Sequence, residues 1–83
     1  MPRRSNMNKA RRKELNDIIE ELNDINERLG CIFDEEDEMY EAIPENLKYT
    51  DRAIAAECAR DNLSDAADYL DDVISSIEEA IEA

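Results

Sequence analysis

Eighty-three residues make one small domain at most, in the size range where a lone hydrophobic core is thin. One Gly, two Pro and no Trp, in a chain that is 40% charged with a formal net charge of -13, favour helix almost throughout. No run approaches the roughly 18 apolar residues that cross a bilayer, and with no His the chain lacks the usual means of building an active site or a four-ligand metal centre.

The first thirteen positions hold Arg3, Arg4, Lys9, Arg11, Arg12 and Lys13, while all 23 acidic residues lie from Glu14 onward. Against those acids the same stretch has only Arg28, Lys48, Arg52 and Arg60, a formal charge of -19. Residues 1–7 are expected to form a flexible basic arm, and residues 8–83 a single helical-hairpin domain. No apolar stretch follows the arm, so no secretory signal is expected and the chain is assigned to the cytoplasm. Met7-Asn8-Lys9 reads equally well as a translation start. The arm has two candidate uses, counterion release on nucleic acid or pairing with Glu78, Glu79 and Glu82. The second is preferred, so no direct nucleic-acid contact is expected.

A helix is predicted over about 8–43, capped by Asn6 or Asn8. Leu15, Ile18, Leu22, Ile25, Leu29 and Ile32 follow a 3,4 spacing, and Ile19 widens this seam into a stripe. Gly30 either breaks the helix, with Asp34 capping a second one, or sits inside it. Ile32 keeps the register of the residues before it, which favours a continuous or slightly kinked helix. Pro44 ends it by turning Ile43 away from helical geometry. A connector over 44–50 follows, with room for one helical turn.

Thr50 caps the closing helix, about 51–81, with Asp51 in its first turn. Ala56, Ala59, Leu63, Ala66, Leu70, Val73, Ile77 and Ala80 mark its seam, flanked by Ala67, Ile74 and Ile81. So short a connector makes the helices antiparallel. Paired positions should sum to roughly 92, which sets Phe33 and Tyr40 against the alanine-lined half. In that register Cys31 falls within about a turn of Cys58, and oxidation could join them. In a reducing compartment both are expected to be small buried or half-buried hydrophobes.

The apolar stripes are wider than one hairpin covers. The doubled seams at Ile18/Ile19 and Val73/Ile74 therefore predict a homodimer closing into a four-helix bundle. The class is all-α, with no enzymatic activity and no cofactor or metal. The run Asp34, Glu35, Glu36, Asp37 and Glu38 lacks the alternating ligands and central Gly of a calcium loop. Asp61, Asp65, Asp68 and Asp72 form an acidic stripe at helical spacing, and Asp17, Glu20, Glu21, Asp24 and Glu27 form another. Like charges one turn apart cost a few tenths of a kcal/mol each, and almost no Lys or Arg is interspersed to relieve them. Two readings of this excess stand side by side: a solvated face that keeps the chain soluble, and a partner with a basic surface.

Asn8-Lys9-Ala10-Arg11-Arg12 before a Leu/Ile heptad, the Pro44-Glu45-Asn46-Leu47 turn and an Ala/Asp/Leu-rich closing helix together resemble the short acidic helical-hairpin proteins of bacteriophages and bacterial mobile elements. That resemblance implies a setting in a bacterial host cell, where such proteins block basic nucleic-acid-binding enzymes of host defence. The expected function is therefore a DNA-mimic-like inhibitor. Asp61, Asp65, Asp68 and Asp72 would be its principal contacts, and the Asp34 to Glu38 cluster its second. Two alternatives stand beside it: an oligomerisation module that sequesters a small anionic ligand between subunits, and an antitoxin.

Overall fold

The computed structural model describes residues 7–83. The expected arm therefore lies almost wholly outside the described residues. The fold is a helical hairpin: α1 spans Lys9–Glu41, a 3-10 turn spans Glu45–Leu47, and α2 spans Asp51–Glu82. Asn8 caps α1, its side chain accepting the Arg11 N–H at 2.8 Å. The helix runs through Gly30 without interruption, with ordinary negative φ there. It stops at Glu41, two residues short of the expected end, because Pro44 cannot donate and disfavours helix at Ile43. The last turn tightens as it closes, with Ala42 N–H on the Glu38 carbonyl and Ile43 N–H on that of Tyr40. Thr50 performs two tasks at the start of α2. Its hydroxyl accepts the Ala53 N–H at 3.3 Å and donates to the Leu47 carbonyl at 2.8 Å.

The seam between the helices is not the expected one. With α1 written as heptads that place Leu15 at d, positions a and d are Arg12, Leu15, Ile19, Leu22, Asn26, Leu29, Phe33, Glu36, Tyr40 and Ile43, all buried or half-buried. Ile18, Ile25 and Ile32, expected in the seam, occupy g and stay 40%, 43% and 47% exposed. In α2 the same correction applies. Ala53, Ala56, Arg60, Leu63, Ala67, Leu70, Ile74, Ile77 and Ile81 take a and d, while Ala59, Val73 and Ala80 are exposed at g. The cause is that both candidate seams share the d residues Leu15, Leu22 and Leu29. Packing chose the companion column that includes Phe33 and Tyr40, whose rings need a facing helix.

The register also differs. Cross-helix bonds join Asn26 to Asp71, Tyr40 to Glu57 and Asp37 to Arg60, each pair summing to 97 rather than 92. The pairing midpoint thus falls near Lys48, because Ile43 and Pro44 extend the path of α1 before the 3-10 turn reverses it. Leu22 stands level with Ile74, Leu29 with Ala67 and Phe33 with Leu63. The aromatic residues do meet the alanine-lined half, as expected. Cys31 and Cys58 do not meet. Both are exposed, on the outer f positions of their helices and eight residues out of level, so they are neither buried hydrophobes nor a staple.

The molecule measures 67 × 20 × 13 Å. Its smallest dimension is that of one helix with its side chains, so the fold is a single layer. Among the described residues only Ile19, Ala53 and Ile74 are buried. Stable domains ordinarily pack two layers around a core, and here the second layer is missing.

Candidate interaction faces

Antiparallel pairing places the e positions of both helices on one side of the hairpin and the g positions on the other. The e side is polar. Asn16, Asn23, Gly30 and Asp37 of α1 lie along Glu57, Ser64, Asp71 and Glu78 of α2. Asn26, from the seam, reaches into this side and donates Nδ2 to Asp71 Oδ1 at 2.8 Å.

Near the connector the same side carries a clasp. Arg60 emerges from the seam and donates to Asp37 at 3.2 Å and to Asp61 at 3.4 Å, with Glu41 at 3.8 Å. Its guanidinium lies 4.6 Å from the centre of the Tyr40 ring, and the Lys48 ammonium lies 4.5 Å from the same centre. The Tyr40 hydroxyl donates to Glu57 Oε2 at 3.0 Å. That bond to an acceptor, with partial desolvation and the Glu57 charge, raises the Tyr40 pKa against the lowering effect of Arg60. Desolvation opposes the charge on Arg60, but Asp37 and Asp61 outweigh it and its pKa is raised.

The clasp divides the expected acidic contacts. Asp37 is half-buried and paired with Arg60, and Glu36 is half-buried at a seam position, whereas Asp34, Glu35 and Glu38 are exposed. Asp61, Asp65, Asp68 and Asp72 all lie exposed on the outer b and f positions of α2. Asp61 has Arg60 beside it, but among the described residues no cation pairs with Asp65, Asp68 or Asp72. Every acid of α2, from Asp51 to Glu82, falls at b, e or f. The rest of that helix is free of negative charge.

The g side is apolar between its two end residues, Arg11 on α1 and Arg52 on α2. Ile18, Ile25, Ile32 and Met39 recur every seven residues on α1, level with Ala80, Val73, Ala66 and Ala59 on α2. Met39 is 62% exposed and Val73 45%. A groove of about 380 Å³ opens here, lined by Leu15, Asp72, Val73, Ser76, Ile77 and Ala80. Of the four residues expected at a dimer interface, Ile18 and Val73 lie on this face. Ile19 and Ile74 are buried between the helices instead. The 18-25-32-39 spacing is present in the sequence, but the expected seam absorbs Ile18, Ile25 and Ile32 and leaves Met39 out, so Ile25, Ile32 and Met39 are missed as one surface row.

At the open end Lys13 pairs with Asp17 of its own helix at 3.2 Å. Among the described residues no ion pair joins Lys9, Arg11 or Arg12 to Glu78, Glu79 or Glu82. No described helix is long and apolar enough to cross a membrane, and no described cluster of acids and thiols is arranged to hold a metal ion. Comparison with protein-family models, with curated proteins and with solved structures returns no match.

Proposed function

We propose that this chain is a non-enzymatic, protein-binding inhibitor that occupies a basic nucleic-acid-binding surface of another protein in the cytoplasm of a bacterial host cell. The observation that carries the proposal is the unpaired acidic stripe Asp65, Asp68 and Asp72, continued by Asp61, on the outer edge of a straight helix. From Glu14 onward the formal charge is -19. Spread along the 67 Å length of the molecule, that is about one charge per 3.5 Å. Duplex DNA carries about one per 1.7 Å. Such a rod competes for a phosphate-binding groove without forming bonds of its own. Its origin in a phage or mobile element fits the resemblance in composition and turn sequence.

A homodimer closing into a four-helix bundle is part of the proposal. A single layer with three buried residues among those described leaves Ile18, Ile25, Ile32, Met39 and Val73 exposed, and a second hairpin supplies the missing layer. Two hairpins side by side approach the charge density of DNA over the same length.

Capture from a bacterial lysate on the immobilised protein tests the inhibitor. A nucleic-acid-binding protein should be recovered at low salt, lost at high salt, and lost at low salt when Asp61, Asp65, Asp68 and Asp72 are all changed to Asn. The captured protein should also lose its nucleic acid when the inhibitor is added. Recovery indifferent to salt and to the Asn variant would rule the proposal out.

A further inference from the structure

We infer that the apolar g face is the dimer interface and that a second copy docks on it with both connectors at the same end, α1 of each copy lying against α2 of the other. This rests on the homodimer proposed above and specifies its surface and orientation. Three observations carry it.

The first is area. A face about 45 Å long and 20 Å wide offers roughly 900 Å² per copy, against roughly 800 Å² per partner in a standard stable interface. The second is size complementarity. Between Arg11 and Arg52 the larger residues of the face belong to α1 (Ile18, Ile25, Ile32, Met39) and the smaller ones to α2 (Ala80, Val73, Ala66, Ala59), level for level. A two-fold axis along the hairpin sets each large residue opposite a small one of the second copy. An axis across the hairpin would instead set large on large and leave alanine on alanine, and facing layers pack best when sizes alternate.

The third observation is charge. Next to g lies column c, which on α1 carries Glu14, Glu21, Arg28 and Glu35. On α2 it carries Asn62, Tyr69, Ser76 and Ala83, with no acid in a helix otherwise rich in them. The axis along the hairpin brings Glu21 to Ser76, Arg28 to the Tyr69 ring and Glu35 to Asn62. The axis across it would bring Glu14 to Glu35 twice and Glu21 to Arg28 twice, so its attractions only offset its repulsions. The charge-free column on α2 is where the charged column of the second copy needs neutral neighbours. Asp61, Asp65 and Asp68 remain outside and available after docking, while Asp72 borders the covered groove.

Sedimentation and cysteine pairing test the interface together. The wild type should be a dimer, and Ile25→Glu should raise its dissociation constant at least tenfold. With Cys31 and Cys58 both changed to Ser, an Ile25→Cys chain mixed with a Val73→Cys chain should form an intermolecular disulfide under mild oxidation. The Ile25→Cys chain alone should not. A dimer in which Ile25→Cys pairs with itself overturns this orientation while leaving the homodimer intact. A wild type that stays monomeric at high concentration and high salt overturns both, and neither result bears on capture by the acidic stripe.

Discussion

Gly30 is the residue whose replacement isolates helix propensity from contact. Its backbone is helical, and a Cβ built there meets nothing within 4 Å. Gly30→Ala should therefore stabilise the hairpin by about 0.5–1 kcal/mol, read as a rise of a few degrees in the thermal midpoint followed by circular dichroism. A fall would mean that the polar side approaches another surface closely at that point. Tyr40 gives a pH signature. Its folded pKa is raised above the ordinary value of 10.0, because its proton is held in the bond to Glu57. The folded state thus binds that proton more tightly than the unfolded chain does. The stabilisation is fully present below about pH 10 and is lost as pH rises through the folded pKa. Tyr40→Phe should lower stability at neutral pH and flatten this alkaline loss, as urea titrations from pH 8 to 12 would record. An unchanged alkaline slope would remove Tyr40 as its source.

The helices themselves were legible because their ends are set by local chemistry. Asn8, Thr50 and Pro44 need no tertiary structure to act, and the chain obeys all three. The seam was not legible because apolar residues fill three neighbouring columns, a, d and g, and the sequence does not say which pair closes first. Ile18 and Ile19 are equivalent on any hydropathy scale. What separates them is where their columns lead, one to Phe33 and Tyr40, the other to Ile32 and Met39. The clasp was hidden for another reason: Arg60 in a run of alanines reads as a surface base until the register brings Asp37 and Tyr40 to it. Adjacent residues now test the seam. At concentrations where the chain is monomeric, Ile74→Ala should cost about 2–4 kcal/mol, because Ile74 is 8% exposed and lies between the helices. Val73→Ala should cost well under 1 kcal/mol there. Equal costs would return Val73 to the intramolecular seam. Charge at the ends of α1 adds to the need for packing. Its first turn is basic with no acid and its last turn acidic with no base, against the helix dipole at both ends.

At the scale of the molecule, two faces with different physics share one rod, and salt acts on them in opposite senses. In the proposed dimer the g face buries Ile25, Ile32 and Met39, while the two copies bring together a formal charge of -26, twice the -13 of one chain. Raising the ionic strength from about 0.01 to 0.15 M shortens the screening length from about 30 to 8 Å. Repulsion between hairpins weakens and the apolar contact does not, so dimerisation should strengthen. In the proposed inhibitor the acidic stripe is drawn to a basic groove, and the same screening should weaken that attraction. Sedimentation equilibrium across that salt series should show a falling dimer dissociation constant, while capture of the basic partner declines. The Asn variant of Asp61, Asp65, Asp68 and Asp72 sharpens the contrast, since it should dimerise more tightly at low salt and capture nothing. If dimerisation and capture instead rise or fall together with salt, both depend on a single surface, and the division of this hairpin into an assembling face and an acidic face is wrong.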